Sequence, residues 1–181
     1  MILALDISTS CTGYALFDEN DLVDIGYINL SKHKGLFEKA TYVKDRIFRM
    51  SNDYNINQIT VEENLQAFRP GLSSAKTLMT LAQFNGVVRW ICYDIFDIEP
   101  VAINVNSARK SIGLKIDRKN KEKNTKQQVL EWVSKDKPEI KWPTKILKSG
   151  PSKGQQRICN EAYDMADAYV IGKAYLIENL V

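Results

Sequence analysis

The apolar residues fall into short runs between turn clusters in the first part of the chain and recur at a period near 3.6 further on. Ile2-Leu3-Ala4-Leu5-Asp6-Ile7 is an apolar run broken by one acid, which reads as a buried strand. The small-residue turn Ser8 to Gly13 leads to a second strand, Tyr14 to Phe17, and the polar cluster Asp18 to Asp21 leads to a third, Leu22 to Leu30. Connections this tight predict an antiparallel meander. Helical spacing takes over from Leu36 to Met50, with Phe37, Ala40, Val43, Ile47 and Met50 on one stripe, and a polar break runs from Ser51 to Asn57. Ile59 to Glu62 is again a strand, with Ile59 and Val61 on one face and Thr60 and Glu62 on the other.

Phe68 to Gly71 reads as a loop, and Ser73 opens a long helix to Phe96 with apolar Leu78, Leu81, Ala82, Val88, Ile91, Cys92 and Ile95. Gly86 inside it suggests a close backbone approach, because glycine in mid-helix costs about 1 kcal/mol relative to alanine. A strand over Pro100 to Val105 follows, then a short helix, Ala108 to Ile112, capped by Asn106-Ser107. The helix Thr125 to Lys135 turns Val129, Leu130 and Val133 inward, while the segments 113–124 and 136–157 lack an apolar period and read as loops. Asn160 is placed to cap a last helix carrying Ala162, Met165, Ala166, Tyr169 and Val170. Three meander strands followed by strand–helix alternation predict an α/β fold, with a five-stranded mixed sheet flanked by helices in a single domain, residues 1–181.

Composition narrows the classes. A chain of 181 residues, 44% apolar and 26% charged, suits one soluble domain with its own core. No run approaches the roughly 18 apolar residues that span a bilayer, and Met1 to Asp6 lacks the basic leader of a signal peptide. Cys11, Cys92 and Cys159 are scattered and form no Cys-x-x-Cys, so reduced thiols in a cytoplasmic setting are expected, with neither disulfides nor a zinc cluster. His33 is the single histidine and sits in a polar turn, which argues against a histidine relay. The net charge of +3 conceals an asymmetry: Arg109 to Arg157 holds 15 Lys/Arg against 5 Asp/Glu, and the rest of the chain is net acidic. Such a balance favours a polyanionic partner, nucleic acid before a membrane surface.

The acids suggest the chemistry. Asp164 and Asp167 are three apart, on one side of the last helix, where they repel unless a cation lies near. Asp6 interrupts one apolar strand and Glu62 closes another, and lone carboxylates in such places need a positive partner. If the two strands are neighbours, the last helix brings all four carboxylates together. Without His or Cys, that is a hard-ligand set suited to Mg²⁺ or Mn²⁺. Beside a basic surface it suggests phosphodiester hydrolysis, with two ions about 3.5–4 Å apart serving the attacking and departing oxygens. The plain alternative is a strand-end turn former, an ordinary surface glutamate and a solvated helix face.

Four pieces of the chain together resemble the RuvC family of Holliday-junction resolvases, within the ribonuclease H-like superfamily. They are Ile2-Leu3-Ala4-Leu5-Asp6 with Thr12-Gly13-Tyr14-Ala15; Ile59-Thr60-Val61-Glu62; the Ser73 to Val88 helix with Gly86 and small residues; and Asp164-Met165-Ala166-Asp167-Ala168. The resemblance implies a ribonuclease H-like fold, metal-binding catalytic carboxylates at Asp6, Glu62, Asp164 and Asp167, and Mg²⁺ as cofactor with Mn²⁺ substituting. It also implies cleavage of four-way junctions and a homodimer packed on the Ser73 to Phe96 helix. Arg109 or Lys110, after the fifth strand, and Lys126, opening the next helix, take the places of basic residues that support DNA binding. Lys115, Arg118, Lys119, Lys121 and Lys123 extend that surface through a basic insertion longer than in bacterial members. The chain is thus similar to divergent, phage-type resolvases acting on branched DNA, in the host cytoplasm if phage-encoded. It departs from the family where Asp6-Ile7-Ser8 replaces Asp-Pro-Gly, and where Leu65 and Phe68 stand near the place of a wedging aromatic.

Other readings share parts of this pattern. Leu5 to Gly13 with Phe17-Asp18 also resembles the first phosphate hairpin of sugar kinases and actin-like ATPases, but a second Asp-Gly-Gly-like loop and a second domain are lacking. A ribonuclease cutting RNA–DNA hybrids and a catalytically inactive branched-DNA-binding module remain as alternatives.

Overall fold

Alternation along β1 (Ile2–Ile7) divides the core into two layers. Leu3, Leu5 and Ile7 face one side, and Ala4 and Asp6 face the other. A computed structural model, which describes residues 1–63 and 75–179, sets β1 at the centre of a five-stranded sheet. Its partners are β2 (Cys11–Asp18), β3 (Asp21–Asn29), β4 (Gln58–Glu62) and β5 (Val101–Ile103), in the order β3-β2-β1-β4-β5. The first three strands run antiparallel, and β4 and β5 extend the sheet in parallel. This is the mixed sheet expected from the pattern of elements.

The first layer seats α1 (Gly35–Asp53) and α2 (Ala75–Phe96) on Leu3, Leu5, Leu16 and Ile59 through Val43, Ile47, Phe84 and Val88. The second holds α3 (Val105–Ser111), α4 (Thr125–Asp136) and α5 (Glu161–Asn179). α5 lies across β1, β2, β3 and β4. It can do so because the facing residues are small. A Cβ on Gly172 would come within 2.3 Å of the Phe17 ring and 2.9 Å of the Ala4 methyl. Ala4, Ala15, Ala162 and Ala166 in the same layer are fully buried.

Several boundaries differ from the sequence expectation. α1 runs on through Ser51 to Asp53, and the Tyr54 N–H closes it onto the Met50 carbonyl, so the polar break begins later. Phe37 is 81% exposed, since the buried stripe of α1 starts one turn later, at Ala40. β5 stops at Ile103, and Asn104 caps α3 by accepting from the Asn106 and Ser107 N–H groups at 3.0 and 3.2 Å, displacing the expected cap at Asn106-Ser107. α5 is entered through backbone bonds, Ala162 N–H to the Cys159 carbonyl and Tyr163 N–H to that of Asn160, with no side-chain cap from Asn160 among the described residues. Among the described residues nothing lies within 4 Å of where a Gly86 Cβ would stand, so the close approach expected there is not made by them. The segment 136–157 is not a plain loop: β6 (Thr144–Ile146) and β7 (Gln156–Ile158) form a separate antiparallel hairpin. The loop read at Phe68 to Gly71, the residues Leu65 and Phe68, and the helix start at Ser73 lie outside the described residues. No helix among the described residues is long and apolar enough to cross a membrane.

Candidate active site

Strand register brings the acids together. Leu5 of β1 pairs in parallel with Val61 of β4, so Asp6 and Glu62 follow side by side at the ends of their strands. Both point to the α5 side, because Ala4 pairs with Thr60 and side chains alternate. On the other flank of β1, Asp6 pairs with Gly13 of β2. The backbone of Asp164 in α5 rests directly on Gly13, where a Cβ would fall 2.1 Å from the Asp164 carbonyl oxygen. Asp167, one turn on, completes the group. Asp6, Glu62, Asp164 and Asp167 line one cleft of about 640 Å³ together with Arg109 and Lys126.

The cleft is strongly anionic. Burial, then the charges of Glu62, Asp167 and Asp164, push the Asp6 carboxyl well above the usual carboxylate range, and it shares a hydrogen bond with Glu62. Burial also raises Glu62, Asp164 and Asp167. Two cations oppose this. Arg109 of α3 donates to Asp167 at 3.1 Å, with side chains 15% and 8% exposed, and Lys126 of α4 reaches Asp164 at 3.3 Å from a more open position. The Asn124 capping box, in which Asn124 and Gln127 bond each other's backbone N–H, holds the first turn of α4 and with it Lys126. The Cys11 thiol donates to Asp164, and burial first, then that carboxylate, raises its pKa.

All four sequence-predicted carboxylates therefore meet in one cleft. As placed, their oxygens are engaged by each other and by the two cations, and among the described residues no three His, Cys, Asp or Glu groups are arranged to hold a metal ion. The basic candidates divide into groups. Arg109, Lys110, Lys115 and Arg118 line a second cavity of about 310 Å³ that shares Arg109 with the acidic cleft. Lys119 and Lys121 are exposed beyond it, in a turn fixed by Asp117 and Asn120 accepting backbone N–H bonds. Lys123 is tied to Glu131 at 2.7 Å, which offsets its charge.

Sequence reading missed Asn85 and Cys11. Asn85 also lines the cleft, is 3% exposed, and its Oδ1 is buried with no hydrogen-bond partner among the described residues. Its signal was a polar residue four after Leu81 and three before Val88, on the inward stripe of α2. Cys11 was weighed for disulfides and zinc rather than as a neighbour of an aspartate, a contact that exists because β2 passes under α5.

No family model matches the chain, and no curated protein matches it. Solved structures do. The chain is similar to Thermus thermophilus RuvC in complex with Holliday junction substrate, at a TM-score of 0.64 and 12% identity, over 97% of this chain and 92% of that one. Another Thermus thermophilus RuvC structure matches at a TM-score of 0.59 and 12% identity, over 97% and 93%. The yeast mitochondrial Holliday junction resolvase matches at 0.56 and 16%, over 97% and 77%. The fold is thus RuvC-like, of the ribonuclease H type.

Proposed function

We propose that residues 1–181 form one nuclease domain that cleaves four-way DNA junctions, and other branched DNA, by divalent-metal-dependent phosphodiester hydrolysis. One observation carries this reading. Two strand ends and one helix deliver four carboxylates to a single cleft, and that cleft opens beside a basic cavity through the shared Arg109. The likeness to a RuvC solved with a Holliday junction supports the choice of substrate.

The donor set fits a hard divalent cation. Three buried acids and the half-buried Glu62 repel one another, hold their carboxyl pKa values up, and lean on a shared hydrogen bond and two side-chain cations for relief. Asp6, Glu62, Asp164 and Asp167 would hold Mg²⁺ or Mn²⁺, two ions in this reading. Bound there, such ions supply an activated water and offset charge on the departing 3′ oxygen. The chain's own residues do the rest. Lys126 and Arg109 neutralise Asp164 and Asp167 in the free protein, and with those acids otherwise engaged they face the phosphates at the cleft mouth. Lys110, Lys115, Arg118, Lys119 and Lys121 hold the strand by its backbone with little base reading. The three free thiols, two of them buried, suit action in the cytoplasm.

We assign α2 as the surface that pairs two copies, so that two clefts address one junction. Met79, Trp90 and Tyr93 are 65%, 58% and 50% exposed, and with the bare Gly86 they form one stripe along the helix. The test is cleavage of a synthetic four-way junction in Mg²⁺ beside a linear duplex, a three-way branch and an RNA–DNA hybrid, with Asp6→Asn as control. Paired symmetric nicks in the junction support the reading. Hybrid cutting alone would replace it with a ribonuclease, and tight junction binding without cleavage would leave a binding module.

A further inference from the structure

We propose that the β6/β7 hairpin is a separate phosphate-gripping surface, on which Lys145 and Arg157 together hold the backbone of a duplex arm outside the cleft. The proposal rests on the nucleic-acid reading above and adds a contact that the cleft and its basic cavity do not include. Residues 141–157 carry Lys141, Lys145, Lys148, Lys153 and Arg157 and no acid. All five are exposed. Among the described residues none of them pairs with a carboxylate; the neighbouring Glu139 is taken by Lys137.

Register makes this more than a basic loop. Lys145 lies directly opposite Arg157 across the ladder, flanked by the pairs Thr144–Ile158 and Ile146–Gln156. Residues so paired have Cβ atoms about 4.5–5.5 Å apart on the same face, where like charges destabilise the pairing. A two-stranded hairpin is itself marginal in water, so placing two cations there works against the element unless an anion bridges them. The other face bears Thr144, Ile146, Gln156 and Ile158. On it Gln156 donates to the Thr144 hydroxyl at 2.6 Å, and Ile158 lines a groove with Leu130 of α4 and Tyr163 of α5. Of that face only Ile158 approaches the body of the protein, while Lys145 and Arg157 stand exposed on the opposite face.

The tip is ordered by its own backbone. The Leu147 N–H bonds the Gln155 carbonyl at 3.0 Å, the Gly154 N–H bonds the Leu147 carbonyl at 2.8 Å, and Gly150 and Gly154 adopt φ of 81° and 86°. Lys148 and Lys153 are carried on this turn. Only Cys159 and Asn160 separate β7 from α5, whose first turns hold Asp164 and Asp167. The hairpin thus joins directly to the helix that carries two of the cleft's acids, and in this proposal the arm beyond the cleft lies against its cationic face.

The experiment is binding of wild type and the Lys145→Gln/Arg157→Gln double variant to a linear duplex and to an immobile four-way junction, by fluorescence anisotropy across a KCl series in EDTA. Each phosphate contact contributes about 0.9 to the slope of log K against log salt, so the variant's slope should fall by about 2 on both DNAs. An unchanged slope overturns the proposal. So does a lower thermal midpoint for the variant without DNA, which would make the pair a fold element; relief of repulsion should leave the midpoint equal or higher. Pair-dependent binding to polyglutamate or anionic vesicles with an unchanged duplex slope would also overturn it. Wild-type junction cleavage, run alongside, separates the two readings. A pair-dependent slope with no cleavage removes the nuclease and keeps the hairpin surface, whereas cleavage with a pair-independent slope does the reverse.

Discussion

Gly13 and Asp164 touch through their backbones: a Cβ on Gly13 would lie 2.1 Å from the Asp164 carbonyl oxygen and 2.7 Å from the Met165 nitrogen. The obstacle is helix backbone, which cannot turn aside as a side chain would. Gly13→Ala should therefore lift the start of α5 off the sheet and cost about 3 kcal/mol or more, at the upper end of overpacking effects. Chemical denaturation measures the loss. Cleavage should fall with it, because Asp164 and Asp167 are carried on the displaced turns. A variant of wild-type stability would mean that α5 sits higher than described.

How much of this could be read from the sequence depended on the kind of signal. Short apolar runs between turn clusters marked β1 to β4, and the lone acids within them marked Asp6 and Glu62, because a carboxylate among buried neighbours stands out in a one-dimensional pattern. That the four acids share a cleft depends on β4 lying beside β1, which alternation alone does not determine; the resemblance supplied it. The pairing of Arg109 with Asp167 and the Cys11–Asp164 contact were invisible, since they join residues 58 and about 150 positions apart. The β6/β7 hairpin escaped because three-residue strands, all exposed, carry no apolar period. Phe37 misled for the opposite reason: it fits the helical stripe but precedes the point at which α1 meets the sheet.

Asp6 is held above the usual carboxylate range by burial and by its acidic neighbours. A carboxyl whose pKa is raised on folding lowers stability above that pKa, and the penalty is relieved as pH falls through it towards the unfolded value. Metal-free wild type should thus gain stability on mild acidification from neutral pH. Asp6→Asn should remove this gain and be more stable at pH 7 in EDTA, by about 1.4 kcal/mol for each unit of raised pKa, while cleavage falls by orders of magnitude and junction binding persists. Thermal melts in EDTA at several pH values provide the check. Equal loss of binding and cleavage would remove Asp6 from its assigned role.

Arg109 and Asp167 form the more buried of the two ion pairs in the cleft, and among the described residues the buried Arg109 Nε has no hydrogen-bond partner. Arg109→Ala should destabilise by about 3 kcal/mol at neutral pH, because it leaves a buried carboxylate unpaired. The deficit should shrink towards acid, where Asp167, already raised by burial, takes a proton instead. Lys126→Ala should matter far less to stability, since that side chain is 56% exposed. Denaturation curves of the two variants at neutral and acid pH would expose a reversed order.

Gly86 separates a paired α2 from a free one. With nothing among the described residues within 4 Å of its Cβ position, Gly86→Glu should be accommodated in the single chain and stabilise α2 by up to about 1 kcal/mol through helix propensity. If two copies pack along Met79, Gly86, Trp90 and Tyr93, the same change places a charge in their interface. Light scattering should then show wild-type dimers and Gly86→Glu monomers with a melting point that no longer depends on concentration. A variant that stays dimeric would move the interface elsewhere.

Asp136, at the end of α4, joins that helix to α5 by accepting from the buried Tyr169 hydroxyl at 2.5 Å and from Lys173. Burial works against its charge, but the hydrogen bonds and the Lys173 charge outweigh this and hold its carboxyl below the ordinary value of 3.8. A pKa lowered on folding contributes stability above the unfolded pKa and loses it as pH falls through the folded one, the reverse of Asp6. Asp136→Ala should thus cost about 1–3 kcal/mol at neutral pH, since Tyr169 is 1% exposed and its hydroxyl loses its acceptor, and the difference from wild type should narrow below about pH 4. Adding Tyr169→Phe removes the stranded hydroxyl, so the double variant should be less destabilised than the sum of the singles, by about 1 kcal/mol. Strict additivity in that cycle would mean the bond contributes nothing to docking α4 on α5. The seating of Lys126 over Asp164 would then rest on the apolar contacts of Val129, Leu130 and Val133 alone.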